Sequence, residues 1–171
     1  MDTMLEVEQG RFVPSKEQLE HANINPVTKL ATDYLNHFNE VIMLIDMLAM
    51  MPECCEDVLQ WAPKSYPDHF EESGFAERDL AILAYDLSPD PIRHAFDKTV
   101  SDIDQVIFRV QGLLRQEGHM SAQAEGPLSF ILSEELRPLM DRASGIVNGT
   151  LCEETILPTE RAQDAVDALF S

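Results

Sequence analysis

Residues 25–51 read NPVTKLATDYLNHFNEVIMLIDMLAMM, a helical pattern bounded by a start signal and a stop signal. Asn25 is a favoured N-cap residue, Pro26 suits the first position of a helix, and Pro52 cannot continue one. We therefore predict one long helix from Pro26 to Met51. Its apolar side chains recur mostly at three- and four-residue steps and predict one buried face, formed by Val27, Leu30, Ala31, Tyr34, Phe38, Val41, Ile42, Ile45 and Leu48.

The opposite side of this helix is polar in its first half and apolar in its second half. Its first half carries the polar residues Lys29, Asp33, Asn36 and Glu40, and its second half carries Met43, Met47 and Met50. A second apolar surface must contact something, and the flexible thioether of methionine suits an irregular contact. We expect the rest of the same chain to cover this surface, with a homo-oligomer formed through it as the alternative.

A second long helix is predicted from Asp90 onwards. Asp90 and Pro91 form another start signal, and Gly118 stands where the C-terminal cap of this helix belongs. The predicted core positions are Ile92, Phe96, Val100, Ile103, Ile107, Val110 and Leu114.

The third long helix is predicted over residues 127–147, after a linker over residues 118–126. Pro138 lies inside it and predicts a kink, and Gly149 is a typical terminator. The predicted core positions are Leu128, Ile131, Leu132, Leu139, Ala143 and Ile146.

Shorter elements complete the predicted fold. Helical patterns cover residues 15–23, 52–62 and 76–87, whereas residues 63–73 read as an irregular crossing with aromatic side chains that can cover the bundle. No alternation typical of strands is found. The predicted fold class is all-α, an antiparallel bundle of three long helices with short helices and a C-terminal helical tail. The predicted organisation is a mobile N-terminus over residues 1–13, a helical bundle domain over 14–149, and a tether with an amphipathic peptide over 150–171.

The chain is strongly acidic. Its 171 residues, of which 44% are hydrophobic, suffice for one core and favour a single domain. A total of 12 basic residues against 31 acidic ones gives a net charge of −19, and such a field repels phosphate backbones and anionic lipid headgroups. We expect no nucleic-acid partner and no membrane partner, and a basic surface on another protein fits this charge best.

The cysteines and the first residues indicate a reducing compartment. Cys54, Cys55 and Cys152 make an odd number with two adjacent members, which is not a disulfide framework. Residues 1–10 lack the basic start and apolar run of a signal peptide. The most apolar stretch, residues 41–51, is too short to cross a bilayer as a helix. We therefore expect a cytoplasmic protein.

Two of the long helices carry acidic and histidine side chains at the same spacing. These are Asp33, His37 and Glu40 on the first, and Asp90, His94 and Asp97 on the second, both at i, i+4 and i+7. Di-iron bundles instead place a Glu three residues before a His, so we predict solvated helix rims, no metal site and no cofactor. His94 with Lys98 lacks the His-x-x-Lys-Gly pattern of histidine phosphotransfer domains. No phosphate-binding loop, nucleophile elbow or zinc-protease motif is present in the sequence.

Residues 162–170 read AQDAVDALF, and Thr159 can cap a short amphipathic helix that contains them. This segment resembles the acidic peptide at the C-terminus of the chemotaxis phosphatase CheZ and at the N-terminus of the flagellar switch protein FliM, which binds the response regulator CheY. The resemblance covers nine of the 171 residues and implies a CheY-like receiver domain as partner. The matching residues are Gln163, Asp164, Val166, Asp167, Leu169 and Phe170. The alternative is that this helix docks on its own bundle.

The same resemblance raises receiver dephosphorylation as a second role. CheZ-like proteins present an acidic residue and a Gln one helical turn apart, and the matching Asp-x-x-x-Gln does not occur here. The nearest pairs are Glu56 with Gln60, and Asp33 with Asn36, of which the latter resembles the acid-x-x-Asn spacing of the CheC/CheX phosphatases. Any Mg²⁺ would come with the partner receiver domain.

The resemblance therefore implies an interaction protein of bacterial two-component or chemotaxis signalling that binds a receiver domain through its C-terminal peptide. A second role in dephosphorylating the receiver stays open, with Asp33 and Asn36, or Glu56 and Gln60, as the candidate catalytic residues. The alternatives are a structural scaffold that self-associates through Met43, Met47 and Met50, and a metal-dependent enzyme.

Overall fold

The computed structural model describes residues 6–8, 11–74, 76–117 and 122–150, and it confirms the all-α fold class. The helices are α1 (Lys16–His21), α2 (Asn36–Met47), α3 (Cys54–Gln60), α4 (Tyr66–Glu72), α5 (Arg78–Leu87), α6 (Asp90–Glu117), α7 (Ala122–Ile131) and α8 (Arg137–Asn148). A 3₁₀ turn, Thr32–Leu35, precedes α2, and a π-helical turn, Leu132–Leu136, joins α7 to α8. In the described parts of the chain, no helix combines the length and apolar character needed to cross a membrane.

Two short strands precede the helices. β1 (Glu6–Glu8) and β2 (Arg11–Val13) pair antiparallel, with Glu6 opposite Val13. The expectation that no strand would occur is wrong for these residues. Strand prediction depends on alternation over at least four residues, and each of these strands is shorter than that.

α6 and the continuous helix from α7 to α8 form an antiparallel pair. Thr99, near the start of α6, accepts a hydrogen bond from Arg142 in α8 at 3.3 Å. Arg109, further along α6, forms an ion pair with Glu135 in the π-helical turn. From Thr99 to Arg109 the residue numbers on α6 rise, while those of their contact partners fall from Arg142 to Glu135. The two helices therefore run antiparallel.

The segment that contains α2 also runs antiparallel to α8. The Thr28 hydroxyl donates to the Val147 carbonyl at 2.6 Å, and Asp46 near the end of α2 lies 3.7 Å from Arg137 at the start of α8. α2, α6 and α8 therefore lie side by side around one core. α3 joins it through Gln111 of α6, whose amide donates to two carbonyls at the end of α3.

Most of the predicted core positions are buried. The largest fully buried side chains are Phe38, Phe70, Phe96, Leu19, Ile24, Leu30, Leu48, Ile103, Ile107, Leu114, Leu136 and Ile146. Burying each of them contributes roughly 1.5–3 kcal/mol. Val27 is wrong as a core position, since it is 69% exposed. Cys54 and Cys55 are buried and form no disulfide.

The first long helix starts later than predicted. Asn25 does act as a cap, but only of a single turn, where its side-chain oxygen accepts two backbone N–H groups at 2.9 Å. Lys29 then adopts a left-handed backbone with φ of 61°, and helical structure resumes at Thr32. The cause is tertiary, because Thr28 is held by its bond to Val147 and by the Ser88 hydroxyl, which donates to the Thr28 carbonyl at 2.7 Å.

The third long helix starts earlier than predicted. α7 begins at Ala122 and contains both Gly126 and Pro127, so the predicted linker over residues 118–126 is wrong from residue 122 onwards. α8 ends as predicted, because Gly149 adopts the left-handed conformation with φ of 70° that closes a helix.

Pro138 is accommodated by the π-helical turn that precedes it. A proline lacks the backbone N–H and its ring crowds the carbonyl four residues earlier. The N–H of Arg137 bonds the carbonyl of Leu132, five residues back, so the helix is wider at this point. This wider turn lies directly before Pro138, where the kink was predicted.

Residues 63–73, predicted as an irregular crossing, contain α4. Ser65 caps this helix, because its hydroxyl oxygen accepts the N–H of Asp68 at 3.2 Å. Tyr66 and Phe70 are buried and Trp61 is partly buried, as predicted for aromatic side chains that cover the bundle.

Candidate functional site

A polar depression of about 870 Å³ lies where the end of α1, the 3₁₀ turn, the start of α2 and one side of α8 meet. It is lined by Glu20, Asn23, Ile24, Asn25, Ala31, Thr32, Asp33, Leu35, Asn36, Asn39, Met140, Asp141, Ser144 and Asn148. Five of these residues are Asn and three are acidic, and the described lining contains no Lys or Arg. The depression is therefore rich in amides and negatively charged.

The shape of this depression follows from the turn at Asn25. The amide of Asn25 donates to the carbonyl of Asn148 at 3.3 Å, and the Thr28 hydroxyl donates to the carbonyl of Val147. These bonds fix the loop against the end of α8. Because the chain then turns back into the 3₁₀ turn, Asp33 is placed on the rim of the depression rather than on the outside of a straight helix.

Asp33 and Asn36, one of the two predicted acid–amide pairs, contact each other. The Asn36 amide lies 3.4 Å from one carboxylate oxygen of Asp33, a long hydrogen bond. The second carboxylate oxygen lies 3.0 Å from Nε2 of His69. Since an ionised carboxylate only accepts hydrogen bonds, Nε2 of His69 carries the proton. Asn36 itself is exposed, so its amide can also meet a partner or a water molecule.

Sequence reasoning missed His69. It lies in α4, in the segment predicted to be irregular, and it is 36 residues from Asp33. Its ring packs edge-on against Tyr34, with centroids 5.5 Å apart, and against Phe70, with centroids 5.0 Å apart. No spacing rule links it to Asp33, so no local signal in the sequence could have identified this pair.

The ring of His37 lies 6.5 Å from that of His69, centroid to centroid, and also contacts Trp61. The His37 and Trp61 rings stack at 4.9 Å, Nε2 of His37 lies 2.9 Å from the Ala62 carbonyl, and the Trp61 indole donates to the His37 carbonyl at 3.1 Å. Burial lowers the pKa of His37, although the hydrogen bond to Ala62 acts in the opposite direction. His37 is therefore a half-buried link between α2 and the end of α3 rather than a solvated rim residue.

A second, smaller cavity of about 210 Å³ borders His37. It is lined by Asn36, His37, Glu40, Lys64, His69, Glu72 and Ser73. The ammonium group of Lys64 is engaged, because it forms an ion pair with Glu72 at 3.2 Å. Asn36 lines both cavities, and this places its amide between two solvent-accessible spaces.

The second predicted pair, Glu56 and Gln60, forms a separate surface feature on α3. The Gln60 amide donates to the Glu56 carboxylate at 3.3 Å, and both side chains are exposed. Within the described part of the chain, no hydrogen bond or ion pair connects this pair to Asp33 or Asn36. The two pairs are therefore alternative candidates rather than one combined site.

The acidic and histidine side chains do not converge on a metal position. Among the residues that the structure describes, no group of three or more His, Cys, Asp or Glu side chains could hold a metal ion. Lys98, one helical turn beyond His94, pairs with Asp102 at 2.6 Å.

The predicted methionine surface is largely open. Met43 is 57% exposed and Met50 is 87% exposed, whereas Met47 packs partly against the core. Among the described residues, none covers Met43 or Met50, contrary to the expectation that the same chain would cover this surface.

The six residues predicted to bind a partner, Gln163, Asp164, Val166, Asp167, Leu169 and Phe170, lie outside the described residues, as does Cys152. No family model, no curated protein sequence and no solved structure matches this chain.

Proposed function

We propose that this protein is a helical-bundle interaction protein that binds a receiver domain of bacterial two-component or chemotaxis signalling through residues 162–170. The observation that carries the proposal is the pattern of this segment, in which Val166, Leu169 and Phe170 share one side of a helix while Asp164 and Asp167 flank it. Such a helix can place its apolar side in a groove and its carboxylates against basic groups at the rim.

The end of the bundle supports a separate role for this segment. α8 terminates at the left-handed Gly149, and the helices before it already share a buried core. Residues 162–170 are therefore not needed to continue α8. Twelve residues separate Gly149 from residue 162, a span of up to roughly 40 Å for an extended chain.

The charges also favour an external partner. Residues 151–171 contain five acidic side chains and one Arg. The depression beside the end of α8 is itself lined by Glu20, Asp33 and Asp141. Like charges at such short range repel each other, so this part of the bundle is a poor docking place for the segment, whereas a basic groove attracts it.

The Asp33–Asn36 pair is the better candidate for an added phosphatase activity. Its exposed Asn36 amide can hold a water molecule that attacks the phosphorus of an aspartyl phosphate on the bound receiver. The bond between phosphorus and the aspartate oxygen then breaks and inorganic phosphate leaves, with Mg²⁺ supplied by the receiver. His69 keeps the Asp33 carboxylate in place beside the amide. Glu56 and Gln60 are the second candidate, because they share the same chemistry without a third residue to hold the acid.

Binding to purified receiver domains tests the proposal. We expect a synthetic peptide of residues 159–171 and the full chain to bind one CheY-like receiver, in calorimetric titrations with and without beryllofluoride as a phosphoryl mimic. A chain ending at Thr150 should keep its helical circular dichroism and lose binding. Phe170→Ala should weaken binding by about tenfold or more, the loss usual for a central aromatic anchor.

Thr155→Ala is the matched control, because Thr155 precedes the amphipathic segment. Equal receiver binding by the full chain and by the chain ending at Thr150 would overturn the proposal. Unfolding of the shortened chain would show instead that the segment belongs to the core.

Self-association through Met43, Met47 and Met50 is the second candidate function. The exposure of Met43 and Met50 favours it, since an exposed apolar surface is typical of an interface. Sedimentation equilibrium of the full chain and of the Met43→Lys, Met50→Lys double variant tests whether the protein self-associates through this surface. An oligomer that the double variant disperses supports the scaffold, and a monomer in both cases removes it.

A further inference from the structure

The second half of α6 exposes a face without acidic side chains. From residue 101 to residue 116, every exposed position of α6 is uncharged or basic, whereas the first half of the same helix exposes Asp90 and Asp97. This face is opposite in charge to the chain as a whole, whose net charge is −19. We call it the outer face of α6, and it comprises Gln105, Phe108, Arg109, Gly112, Arg115 and Gln116.

Three residues form a line along the outer face. Phe108, Gly112 and Arg115 follow one another at steps of four and three residues, so they lie on one side of the helix. Phe108 is 46% exposed, although α6 has a separate buried stripe. Arg109 is engaged with Glu135, whereas Arg115 is exposed and, among the described residues, no ion pair includes it. The line therefore offers an aromatic ring and an available guanidinium.

Gly112 lies between these two side chains, in the interior of the 28-residue helix α6. A glycine destabilises the interior of a helix relative to alanine, because its backbone loses more conformational freedom on folding. The described fold does not require it, since a Cβ atom here would meet no neighbouring atom within 4 Å. The missing side chain leaves a shallow notch between Phe108 and Arg115, where another helix can approach closely.

Residues 162–170 complement this face in charge, in apolar character and in length. Val166, Leu169 and Phe170 share one side of the segment, and Asp167 lies at the edge of that side. As a helix the segment would be about 12 Å long, and the line from Phe108 to Arg115 is about 11 Å long. An apolar side with a carboxylate at its edge thus matches an aromatic ring, a notch and a cation.

The chain between Thr150 and residue 162 is long enough to allow this contact. α8 runs antiparallel to α6, and Arg142 lies beside Thr99. At the rise of an α-helix, Thr150 and Phe108 are then about 25 Å apart along the bundle axis. The twelve peptide steps from Thr150 to residue 162 extend to about 40 Å, which leaves room to pass around α6.

We propose that residues 162–170 dock on the outer face of α6 when no receiver is bound, with their apolar side on Phe108 and over Gly112 and with Asp167 paired to Arg115. The docking itself needs no receiver, whereas its regulatory effect rests on the proposed function. Docking covers the apolar side that binds a receiver. The bundle therefore competes with the receiver for its own peptide.

The tether sets the strength of this competition. A segment attached by a short linker has an effective concentration on the order of 1 mM at a site within its reach. Docking with an intermolecular Kd of about 0.1–1 mM then covers the segment for half of the time or more, and it weakens the apparent receiver affinity about two- to tenfold. A weak contact is therefore sufficient for regulation.

Disulfide cross-linking in the full chain tests the docking. Ser171→Cys follows the segment, Gln116→Cys lies on the outer face, and Cys152→Ser removes a competing thiol, while Cys54 and Cys55 are buried. In the control protein Ser133→Cys replaces Gln116→Cys. Ser133 is exposed and is nearer to Thr150 along the bundle axis, at about 26 Å against about 38 Å for Gln116.

An undocked segment would react faster with the nearer thiol, and docking reverses this order. We expect the intramolecular disulfide to form at least about fivefold faster with Gln116→Cys than with Ser133→Cys, because docking raises the effective concentration at the outer face. Equal or faster reaction with Ser133→Cys would overturn the proposal. A disulfide-linked dimer that increases with protein concentration would place the segment on a second copy and would also overturn it.

Charge reversal tests the assigned contact in the same cross-linking protein. Arg115→Glu should slow the reaction of Gln116→Cys to the rate of the Ser133→Cys control, and adding Asp167→Arg should restore it. Arg78→Glu, an exposed change on α5, is the matched control and should leave the rate within about twofold. A rate that Arg115→Glu does not change would contradict the pairing with Asp167.

Receiver binding tests the regulatory effect. In calorimetric titrations, Arg115→Glu should bind the receiver about two- to tenfold more tightly than the parent chain, because the segment is released. Unchanged affinity would overturn the regulation. Fast cross-linking at Gln116→Cys without receiver binding by any variant contradicts the proposed function alone. Receiver binding with slow cross-linking at Gln116→Cys contradicts the docking alone, so the two failures are distinguishable.

Discussion

Nε2 of His69 lies 3.0 Å from a carboxylate oxygen of Asp33, and this bond connects α4 to the 3₁₀ turn across 36 residues of sequence. His69 is the more enclosed partner, with 14% of its side chain exposed against 39% for Asp33. The bond therefore fixes the position of the acid while leaving part of it open to solvent. Everything proposed for the Asp33–Asn36 pair depends on this geometry.

Energetic coupling between Asp33 and His69 is the first prediction. The single variants Asp33→Ala and His69→Phe and the double variant should give a coupling free energy of about 0.5–1.5 kcal/mol in urea unfolding. Phe retains the ring contacts with Tyr34 and removes only the donor. Glu71→Ala, an exposed change on the same helix, is the control and should not couple to Asp33. Additive effects of the Asp33 and His69 variants would show that the bond contributes nothing.

Thr28→Val should destabilise the protein although the two side chains have similar shapes. The Thr28 hydroxyl is buried and donates to the Val147 carbonyl at 2.6 Å. Val leaves this carbonyl without a donor, and we expect a loss of about 1–3 kcal/mol in the free energy of unfolding. Thr32→Val, at an exposed position four residues later, should change it by less than about 0.5 kcal/mol. Equal values for both variants would contradict the role given to Thr28.

These two contacts also explain what could be predicted from the sequence and what could not. The buried stripe of α6, from Phe96 to Leu114, follows from three- and four-residue spacing, which is local information. The break before α2 depends on Thr28 and Val147, which are 119 residues apart. Capping rules identify Asn25 correctly, but they cannot indicate how many turns follow the cap.

The candidate sites divide in the same way. Asp33 and Asn36 share a helical spacing and could be paired from the sequence alone, whereas His69 could not be assigned to them. Asp104 reads as one of several acidic residues on the polar side of α6. Its burial becomes visible only once α4 and α5 are placed against that side.

Asp104 should make stability depend on pH in the direction opposite to most carboxylates. Its pKa is raised to about 6 from an ordinary value of 3.8. Between these two values the folded protein holds the proton more tightly than the unfolded chain does. The contribution of this group to stability is therefore complete below the unfolded pKa, and it is lost as the pH rises through about 6.

Asp104→Asn removes this dependence. At about pH 7.5 the variant should be more stable than the parent protein by about 1 kcal/mol, a figure well below the full shift because Asp104 is partly exposed and solvent screens its charge. At about pH 4 the two proteins should differ little. Urea unfolding at both pH values measures this, with Asp102→Asn as the control. A stability difference that is the same at both pH values would contradict the raised pKa.

The Asn36 amide should carry any phosphatase activity of the protein. With a receiver phosphorylated from acetyl phosphate in the presence of Mg²⁺, we expect the full chain to accelerate phosphate release. Asn36→Ala should reduce this acceleration by about a hundredfold, the effect typical of losing a group that positions the attacking water. Asn39→Ala is the matched control, because Asn39 lines the same depression one turn further along α2 and has no acidic partner at the spacing of Asp33.

Gln60→Ala decides between the two acid–amide pairs. Because Gln60 and Glu56 are exposed on α3 and contact only each other among the polar groups described, their loss should leave phosphate release unchanged if Asn36 acts. A loss of activity in Gln60→Ala alone would transfer the role to the α3 pair. If the receiver binds and its phosphate is released at the same rate with and without the protein, then neither pair is catalytic, and the acidic peptide serves binding alone.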